Sequence, residues 1–380
     1  MERRQFLGTS LALGAAGTGL LTATGCATGA SRTAPMAGGV VRPLRGGPVR
    51  LSANENPLGL SPLARRAILE DMGEGNRYPR QSRLDLLDAL AAKHGVATDQ
   101  LQLGTGSTEI LQMAVQATPP EATVVIADPT FEDVARYAAA SGRRLASIAL
   151  RADGAHDVER MRAAAGAGPA LVFVCNPNNP TGTLTPCDEV EAWIAAADER
   201  VTFVVDEAYF EFVEDPRYRS AAPLIASHPN VVVVRTFSKI HAMAGLRLGY
   251  ALAQPATIWR LKLWACGNNA NEFVLAAGRA SLGDTAFHER TLASNRVARD
   301  ILIRALDELD LAHLPSHTNF VMHRIRGELA AYIQHMREAG FLVGRPFPPM
   351  LDHSRVSIGL PEEMEQFVEA LRAFRARAWV

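Results

Sequence analysis

Five short apolar runs that alternate with stretches of helical composition restrict the fold of this chain more than any other feature. The runs are rich in β-branched residues and cover Thr123–Ile126, Leu145–Leu150, Leu171–Val174, Val201–Val205 and Val231–Val234. The helical stretches include Phe131–Ser141, Asp157–Ala165 and Cys187–Ala197. Because the runs are apolar almost throughout, they predict a sheet that is buried on both faces and is therefore mostly parallel. We expect an α/β fold that binds its ligands at the carboxyl ends of the strands.

The C-terminal part of the chain differs in composition and in predicted secondary structure. From Asn271 onward, long helices rich in arginine, alanine and leucine are predicted, with short strands at Phe320–Met322 and Arg355–Ile358. The 380 residues are enough for about two to three domains. We therefore expect a smaller α+β domain at residues 271–380, after a large domain that contains the parallel sheet.

The first 30 residues are predicted to be an export signal rather than part of a folded domain. Arg3 and Arg4 precede a run without charge from Gly8 to Ala23. This run is too short and too weakly apolar for a stable transmembrane helix. The arginine pair resembles a twin-arginine signal, which directs a protein to the periplasm or cell envelope. A chance arginine pair at a frayed terminus is the alternative.

A cysteine near the end of this segment allows a second form of the signal. The small residues Ala23-Thr24-Gly25 precede Cys26, as in a weak lipobox. Processing at that point would make Cys26 a lipidated N-terminus and the one expected contact with a membrane. Residues 31–48 are rich in glycine, proline and arginine and are predicted to be a flexible linker.

The overall charge argues against a nucleic-acid-binding protein. The chain has 39 basic and 40 acidic side chains, a formal charge of −1, and neither a basic tail nor an acidic block. Its four cysteines are too few and too scattered for a disulfide framework or a zinc site. Composition therefore indicates a globular enzyme without a metal ion.

Polar residues follow the predicted strands at the ends where ligands bind. The loop Asn176–Gly182 contains two prolines and a glycine, which exclude both helix and strand. Its amide side chains are suited to bind a cofactor oxygen, although an ordinary solvent-exposed turn fits equally well. Asp206 closes the next strand, where an unpaired carboxylate is costly. It is predicted to pair with a ring nitrogen, the alternative being a helix N-cap.

A hydroxyl-rich segment with a lysine follows the strand that ends at Val234. Thr236, Ser238 and the later Arg247 are suited to bind a phosphate. Lys239 is one of only three lysines among the 39 basic residues. A lysine, unlike an arginine, can lose its proton and form an imine with a carbonyl. A solvated surface lysine is the alternative, which the preference of this chain for arginine disfavours.

Two further segments favour a phosphate-bearing, flat ligand. Gly104–Ile110 is a glycine-rich turn that opens a helix running to about Ala117. Such a turn directs free backbone N–H groups at an anion, although many helix starts look similar. Phe131 follows the next strand, where its ring could stack on a planar cofactor.

The order of these motifs resembles a known enzyme family. Asn179-Pro180-Thr181-Gly182, Asp206 with Tyr209, Ser238-Lys239 and Arg247 are similar in order and spacing to the pyridoxal-phosphate-dependent aminotransferases of class I and II, which have fold type I. Within that family the chain most resembles the histidinol-phosphate aminotransferase branch, over about residues 50–374.

This resemblance implies both an architecture and an activity. The fold is expected to be α/β of fold type I, with residues 49–75 as an N-terminal arm that partly joins the small domain and residues 76–270 as the large domain. The cofactor is expected to be pyridoxal 5′-phosphate. The expected reaction moves an amino group from an amino acid, or a related amine, to a 2-oxo acid. The expected assembly is a homodimer with shared active sites.

The resemblance also assigns roles to single residues. Lys239 matches the lysine that forms the Schiff base, and Asp206 matches the partner of the pyridine nitrogen. Phe131 matches the ring that stacks on the cofactor, while Asn179 and Tyr209 match the partners of its phenolic oxygen. The implied phosphate ligands are Ser107, Thr108, Thr236, Ser238, Arg247 and, across the dimer interface, Tyr78. The implied substrate contacts are Arg355, which grips the α-carboxylate, together with Asn54 and Asn319.

Two departures from the branch concern the substrate. The branch has a Pro-aromatic-Asn-x-Asn run where this chain has residues 267–271, Gly-Asn-Asn-Ala-Asn. It commonly has Val-Arg where this chain has Val343-Gly344-Arg345. The one-residue shift predicts that Arg345 points away from the site, and the missing ring predicts a roomier, more polar pocket. We therefore expect ordinary or polar amino acids as substrates rather than a preference for histidinol phosphate.

Three functions remain open on the sequence alone. The first is an aminotransferase, and the second is a decarboxylase or lyase built on the same scaffold. The third is an exported protein that binds pyridoxal phosphate without catalysis. Conversion of the cofactor to its pyridoxamine form by an amino acid, without release of CO₂, would single out the first.

Overall fold

The computed structural model describes residues 47–380. The predicted signal at residues 1–30, which includes Cys26, and the linker up to residue 46 lie outside this range. None of the helices between residues 47 and 380 has the length and apolar character needed to cross a membrane. The same residues contain no group of three or more His, Cys, Asp or Glu side chains that could hold a metal ion.

Strands and helices alternate over most of this range. The strands are β1 (Val49–Arg50), β2 (Leu101–Gly104), β3 (Thr123–Asp128), β4 (Arg144–Ala149), β5 (Ala170–Cys175), β6 (Val201–Asp206), β7 (Val231–Thr236), β8 (Gly249–Leu252), β9 (Phe320–Arg324), β10 (Phe341–Leu342) and β11 (His353–Ser357). The helices are α1 (Pro62–Glu70), α2 (Arg80–His94), α3 (Gly106–Ala117), α4 (Asp133–Ala140), α5 (Val158–Ala165), α6 (Cys187–Ala196), α7 (Pro255–Lys262), α8 (Glu272–Leu282), α9 (Thr285–Glu308), α10 (Leu329–Glu338) and α11 (Pro361–Ala376). The strands and helices that we predicted from the sequence are confirmed, with bounds that differ by at most two residues.

A seven-stranded sheet in the order β2-β8-β7-β6-β5-β3-β4 forms the centre of the fold. Strands β3 to β7 pair in parallel, whereas β8 runs antiparallel to both of its neighbours, β2 and β7. The predicted mostly parallel sheet is therefore confirmed. Strands β2 and β8, each four residues long, were not predicted.

Both faces of the sheet are buried, as the continuous apolar runs require. Val172 and Val205 pack on one face, whereas Phe173 and Val204, their neighbours along the same strands, pack on the other. Alternate residues of one strand thus enter two different cores. This arrangement leaves only the strand ends for polar chemistry.

A separate hydrophobic core lies in the C-terminal part of the chain. It joins helices α9, α10 and α11 to the antiparallel pair β9 and β11, and it includes Val49 and Leu51 from the N-terminal segment. Strand β1 pairs in parallel with β10, which attaches this segment to the C-terminal core. Helix α8 packs through Val274 and Leu275 into the core that covers the face of the sheet with Val172 and Val205. The domain boundaries given above stay a prediction.

Candidate active site

A cavity of about 400 Å³ opens at the carboxyl ends of β5, β6 and β7. Cys175 pairs with Asp206, and Asp206 with Val234, so these three parallel strands end at nearly the same level. Every predicted site residue except Tyr78 and Asn319 lines the cavity: Asn54, Ser107, Thr108, Phe131, Asn179, Asp206, Tyr209, Thr236, Ser238, Lys239, Arg247 and Arg355. The sheet therefore brings together side chains that are far apart in the sequence.

The loop Asn176–Gly182 is part of the interior rather than a solvent-exposed turn. Asn178 is 1% exposed, and its Nδ2 donates hydrogen bonds to the Pro129 carbonyl at 3.1 Å and to Thr181 Oγ1 at 2.9 Å. The bond to Pro129 ties the loop to the segment after β3, and the bond to Thr181 lies within the loop. The loop thus holds the Asn179 side chain at the cavity wall.

Asp206 is a buried carboxylate at the end of β6. Its Oδ1 accepts a hydrogen bond from the Ala208 N–H at 3.0 Å. The next helical turn begins only at Phe210, so Asp206 is not its N-cap. Burial raises the pKa of this carboxyl to about 7, although the Ala208 N–H and the charge of Lys239 act in the opposite direction. A cation that binds beside Asp206 would therefore stabilise the charged form of this carboxyl.

Lys239 follows β7 and is mostly buried, which excludes a solvated surface lysine. Its Nζ donates a hydrogen bond to the Asn54 carbonyl at 3.2 Å and lies 5.4 Å from the centre of the Tyr209 ring. Burial, and after it the charge of Arg355, lowers the pKa of the amine to about 8. A substantial fraction of Lys239 is thus neutral near that pH, the form that can act as nucleophile or base.

An anion-binding corner is formed by the start of α3 and the loop after β7. Ser107 and Thr108 occupy the first turn of α3, where backbone N–H groups have no partner within the helix. Thr236 Oγ1 donates a hydrogen bond to Ser238 Oγ at 2.9 Å, and Arg247 Nη1 donates to the same oxygen at 3.4 Å. Hydroxyl, N–H and guanidinium groups converge here, a combination suited to a phosphate.

Gly106 provides the space that Arg247 occupies in this corner. The φ angle of Gly106 is +75°, and a Cβ atom there would lie 2.2 Å from Arg247 Nη2. Because that nitrogen is the far end of a flexible side chain, a larger residue would displace the guanidinium rather than disrupt the backbone packing. The glycine thus leaves the space in which the Arg247 guanidinium lies.

Replacing Gly106 by alanine should weaken the binding of pyridoxal phosphate about tenfold or more, since a charge-assisted hydrogen bond contributes roughly 1.5–3 kcal/mol. Absorbance titration of the apoenzyme gives the dissociation constant. Gly142→Ala is the matched control, because Gly142 has a similar φ of +66° with no atom within 4 Å of its Cβ position. Equal weakening in both variants would mean that backbone strain, and not displacement of Arg247, is responsible.

Arg355 reaches the cavity from β11 and is held from two sides. Its Nη1 donates to Asn179 Oδ1 at 2.6 Å and its Nη2 to the Ser52 carbonyl at 2.7 Å, whereas its buried Nε has no partner. Burial lowers the pKa of the guanidinium to about 10, so it remains a cation at neutral pH. A fixed arginine whose Nε–H has no partner is suited to hold a carboxylate.

Asn54 links the reactive side chains to the C-terminal core. Its Nδ2 donates to the Tyr209 hydroxyl at 2.9 Å, and its Oδ1 accepts from Ser357 Oγ at 2.9 Å. Burial raises the pKa of the Tyr209 phenol, which therefore stays protonated. Asn319 lies behind Asn54 as seen from the cavity. Its Nδ2 donates to the Asn54 carbonyl at 3.0 Å, and it does not line the cavity. A direct contact between Asn319 and the substrate stays a prediction without support from this geometry.

Tyr78 is the other predicted residue outside the cavity. It lies just before α2 with 83% of its surface exposed, in a surface cleft that it shares with Leu63. Its role as a phosphate ligand in a partner subunit stays a prediction.

The expectation that Arg345 points away from the site is wrong. Strand β10 ends at Leu342, so the alternation of facing side chains does not continue to residue 345, and Arg345 lines the cavity. Position 344 has no room for a side chain, because a Cβ there would lie 2.7 Å from the Arg355 carbonyl oxygen. The one-residue shift from the family pattern thus moves the arginine without removing it from the site.

Residues 267–271 also differ from expectation, because none of them lines the cavity. Asn269 Nδ2 instead donates to the Leu103 carbonyl at 3.0 Å and to Glu109 Oε2 at 2.9 Å, which supports the turn before α3. The missing aromatic ring therefore does not widen this cavity within the described chain.

Glu132 and Phe347 are among the cavity-lining residues that sequence reasoning did not assign to the site. Glu132 directly follows Phe131, so its place after a predicted strand was the available clue. Arg345 Nη2 donates to Glu132 Oε2, and the two side chains form an ion pair at the solvent-exposed side of the cavity. No local motif points to Phe347.

The residues around the cavity fit pyridoxal phosphate along its whole length. The corner around Arg247 would hold the phosphate, and the Phe131 ring is available for stacking on the pyridine. The buried acid Asp206 suits a protonated ring nitrogen, and Lys239 supplies an amine of lowered pKa. The buried Nε of Arg355, which has no hydrogen-bond partner, would donate to the substrate carboxylate.

Comparisons with known proteins agree with this fit. The sequence model of the family "Aminotransferase class I and II" matches residues 47–371. Histidinol-phosphate aminotransferase 1 of Cupriavidus pinatubonensis is 38% identical over 334 residues, which cover 86% of this chain and 88% of that protein.

Solved structures show the same similarity. A candidate histidinol-phosphate aminotransferase from Erwinia carotovora atroseptica is 42% identical with a TM-score of 0.86, over 88% of this chain and 97% of that one. Histidinol-phosphate aminotransferase from Sinorhizobium meliloti, solved in complex with pyridoxal-5′-phosphate, is 27% identical with a TM-score of 0.81, over 92% of this chain and 99% of that one.

Proposed function

The chain belongs to the aminotransferase class I and II family, and on this basis we propose that its amino donors are free amino acids with ordinary or polar side chains. It is a pyridoxal-phosphate-dependent transaminase of fold type I, as we expected from the sequence. The cofactor, when bound, supplies an electron sink for the bond that breaks at the substrate Cα.

The protein's own residues would supply binding, orientation and proton transfer. Lys239 Nζ, whose pKa burial lowers to about 8, is the base that accepts the Cα proton. With the cofactor bound, the Asp206 carboxylate would keep the ring nitrogen protonated, and the Tyr209 hydroxyl would donate a hydrogen bond to the phenolic oxygen. Arg355 orients the substrate so that its Cα–H bond is within reach of Lys239.

The donor class rests on the buried Nε of Arg355, which has no partner. A carboxylate attached to the reacting carbon would complete the hydrogen bonding of this guanidinium in a bidentate pair. Arg345, the arginine near the opening, is already paired with Glu132 and is therefore less available to a distal phosphate. A pocket that does not demand an anion discriminates among side chains by only about 1–3 kcal/mol per methylene.

Half-reactions with a panel of free amino acids and with histidinol phosphate test this proposal. The expected result is conversion of the cofactor to its pyridoxamine form by several amino acids, read by absorbance. A kcat/KM for histidinol phosphate more than about a hundredfold above every free amino acid would restore that compound as the substrate. Release of CO₂ in place of conversion would support the decarboxylase alternative.

We also propose a homodimer that shares its active sites. The family resemblance implies this assembly, and the 83% exposure of Tyr78 leaves that side chain available to a second subunit. Sedimentation equilibrium of the mature protein tests the proposal, and a monomer mass would contradict it.

Export by the twin-arginine route is proposed from Arg3, Arg4 and the uncharged run that follows them. Changing both arginines to lysine should trap the precursor in the cytoplasm, because this route reads the arginine pair itself. Fractionation of cells followed by immunoblotting measures the outcome. Mature protein in the envelope fraction of the lysine variant would contradict the route. Mass spectrometry of the mature N-terminus would show whether Cys26 carries a lipid or the protein is free.

A further inference from the structure

One ion pair in the cavity wall has no part in the chemistry described so far. Glu132 immediately precedes α4, and Arg345 follows β10, so the pair connects the sheet-containing core to the C-terminal core. Both residues line the cavity that contains Lys239. The carboxylate is 60% exposed and the guanidinium 51%, which puts both charges where an entering side chain meets them.

The pair lies near Arg355, the group that would hold the substrate, because both arginines contact the Phe347 ring. The guanidinium carbon of Arg345 lies 4.4 Å from the centre of the Phe347 ring, and that of Arg355 lies 4.5 Å from the same ring centre. Both guanidinium groups thus pack on the same aromatic ring. A substrate whose α-carboxylate is held by Arg355 can therefore extend its side chain to the Arg345–Glu132 pair.

Two hydrogen bonds hold the Arg345 guanidinium at the cavity wall. Its Nη1 donates to the Pro346 carbonyl at 2.8 Å in addition to the contact with Glu132. The neighbouring position 344 excludes a side chain, so the arginine at 345 is the one that reaches this part of the wall. Glu132 thus faces a cation whose place is set by the backbone.

We propose that Glu132 is a specificity-determining residue, which as the counter-ion of Arg345 sets the charge of the substrate side chain that the site accepts. An acidic side chain must displace the Glu132 carboxylate from Arg345 and then lie beside it, which is a like-charge contact. A basic side chain meets the same obstacle from Arg345. The intact pair therefore favours neutral side chains, and removal of either partner favours the charge of the partner removed.

This inference rests on the proposed use of free amino acids, and isosteric donors test it. The ratio of kcat/KM for glutamate to that for glutamine should rise about threefold or more in Glu132→Gln, since exposed ion pairs are worth little but like charges repel. The ratio for lysine to methionine should rise in Arg345→Gln. Both changes should shrink at high salt because the charges are exposed. Glu308→Gln is the matched control, because Glu308 pairs with Arg372 at 59% and 52% exposure outside the cavity.

A binding measurement separates this inference from the donor proposal. Calorimetric titration of the holoenzyme with glutarate and with its monoamide needs no turnover. In Glu132→Gln, the affinity for glutarate relative to that for the monoamide should rise by the same factor as in the kinetic test. Such a rise would support the inference even if histidinol phosphate proved the only donor. Ratios within about twofold of the wild type in Glu132→Gln, in both assays, would overturn it.

Discussion

Replacement of Lys239 by arginine should abolish transamination while the protein remains folded and still binds the cofactor noncovalently. A guanidinium does not lose its proton in a protein, so it can neither form an imine nor accept the Cα proton. Loss of the proton-transfer step alone accounts for about 10²–10⁴ in rate, and the loss of the covalent link adds to it. We therefore expect at least a 10⁴-fold decrease in kcat/KM, measured by single-turnover absorbance with the best donor.

A second measurement identifies the lysine directly. Borohydride treatment and peptide mass spectrometry should find the reduced cofactor on the Lys239 peptide of the wild type and on no peptide of the variant. Lys262→Arg is the matched control, since Lys262 lies on α7 outside the cavity. Near-normal turnover of Lys239→Arg would refute the assignment.

Replacement of Asp206 by asparagine should give the second-largest loss of activity, about 10²–10³-fold, the range for removal of one electrostatic partner of a transition state. An amide cannot hold a proton on the ring nitrogen as a carboxylate does. Steady-state kinetics at saturating cofactor measure this effect, because it must be separated from weaker cofactor binding.

Although Asp206→Asn should lower the activity, it should raise the stability of the apoenzyme. Burial raises the pKa of the Asp206 carboxyl from 3.8 to about 7, so the folded protein takes up a proton that the unfolded chain releases. The resulting penalty grows as the pH rises from about 4 to about 7 and is constant above that value. The variant lacks this penalty. The difference between its Tm and that of the wild-type apoenzyme should therefore increase from about pH 4 to about pH 7 and stay constant above that pH.

A matched aspartate distinguishes this behaviour from a general effect of removing a charge. The hydrogen bonds from Arg200 lower the pKa of Asp198 to about 2 at an exposed site. Asp198→Asn should keep full activity and should gain no stability as the pH rises. A Tm difference for Asp206→Asn that does not vary between pH 5 and pH 8 would contradict the role of burial at Asp206.

Most of the cavity could be predicted because its residues follow parallel strands. Asp206 comes directly after an apolar run and Lys239 comes five residues after another, and the carboxyl ends of such strands meet at one edge of a sheet. Arg247 and Arg355 could be assigned from the family resemblance, and both line the cavity. The cofactor roles of these residues, in contrast to their positions, stay predictions.

The errors concern contacts that no local pattern records. We expected Arg345 to point away because strand alternation was extended past Leu342, where β10 ends. We expected residues 267–271 at the substrate, whereas Asn269 supports the turn before α3. In both cases the backbone path between elements, and not the residue types, decided the outcome.

The sequence by itself determined the parallel strands, the reactive lysine and acid at their ends, and the family of the chain. These features follow from local properties, since apolar β-branched runs form buried strands and prolines or glycines end them. Only the tertiary structure decided that Asn319 lies behind Asn54, that Arg345 pairs with Glu132, and that Gly344 leaves room for the Arg355 backbone. Such contacts join residues more than 200 positions apart in the case of Glu132 and Arg345, so they depend on how two separately formed cores pack. Packing at that range is set by shape and close approach, which are properties of the folded chain alone.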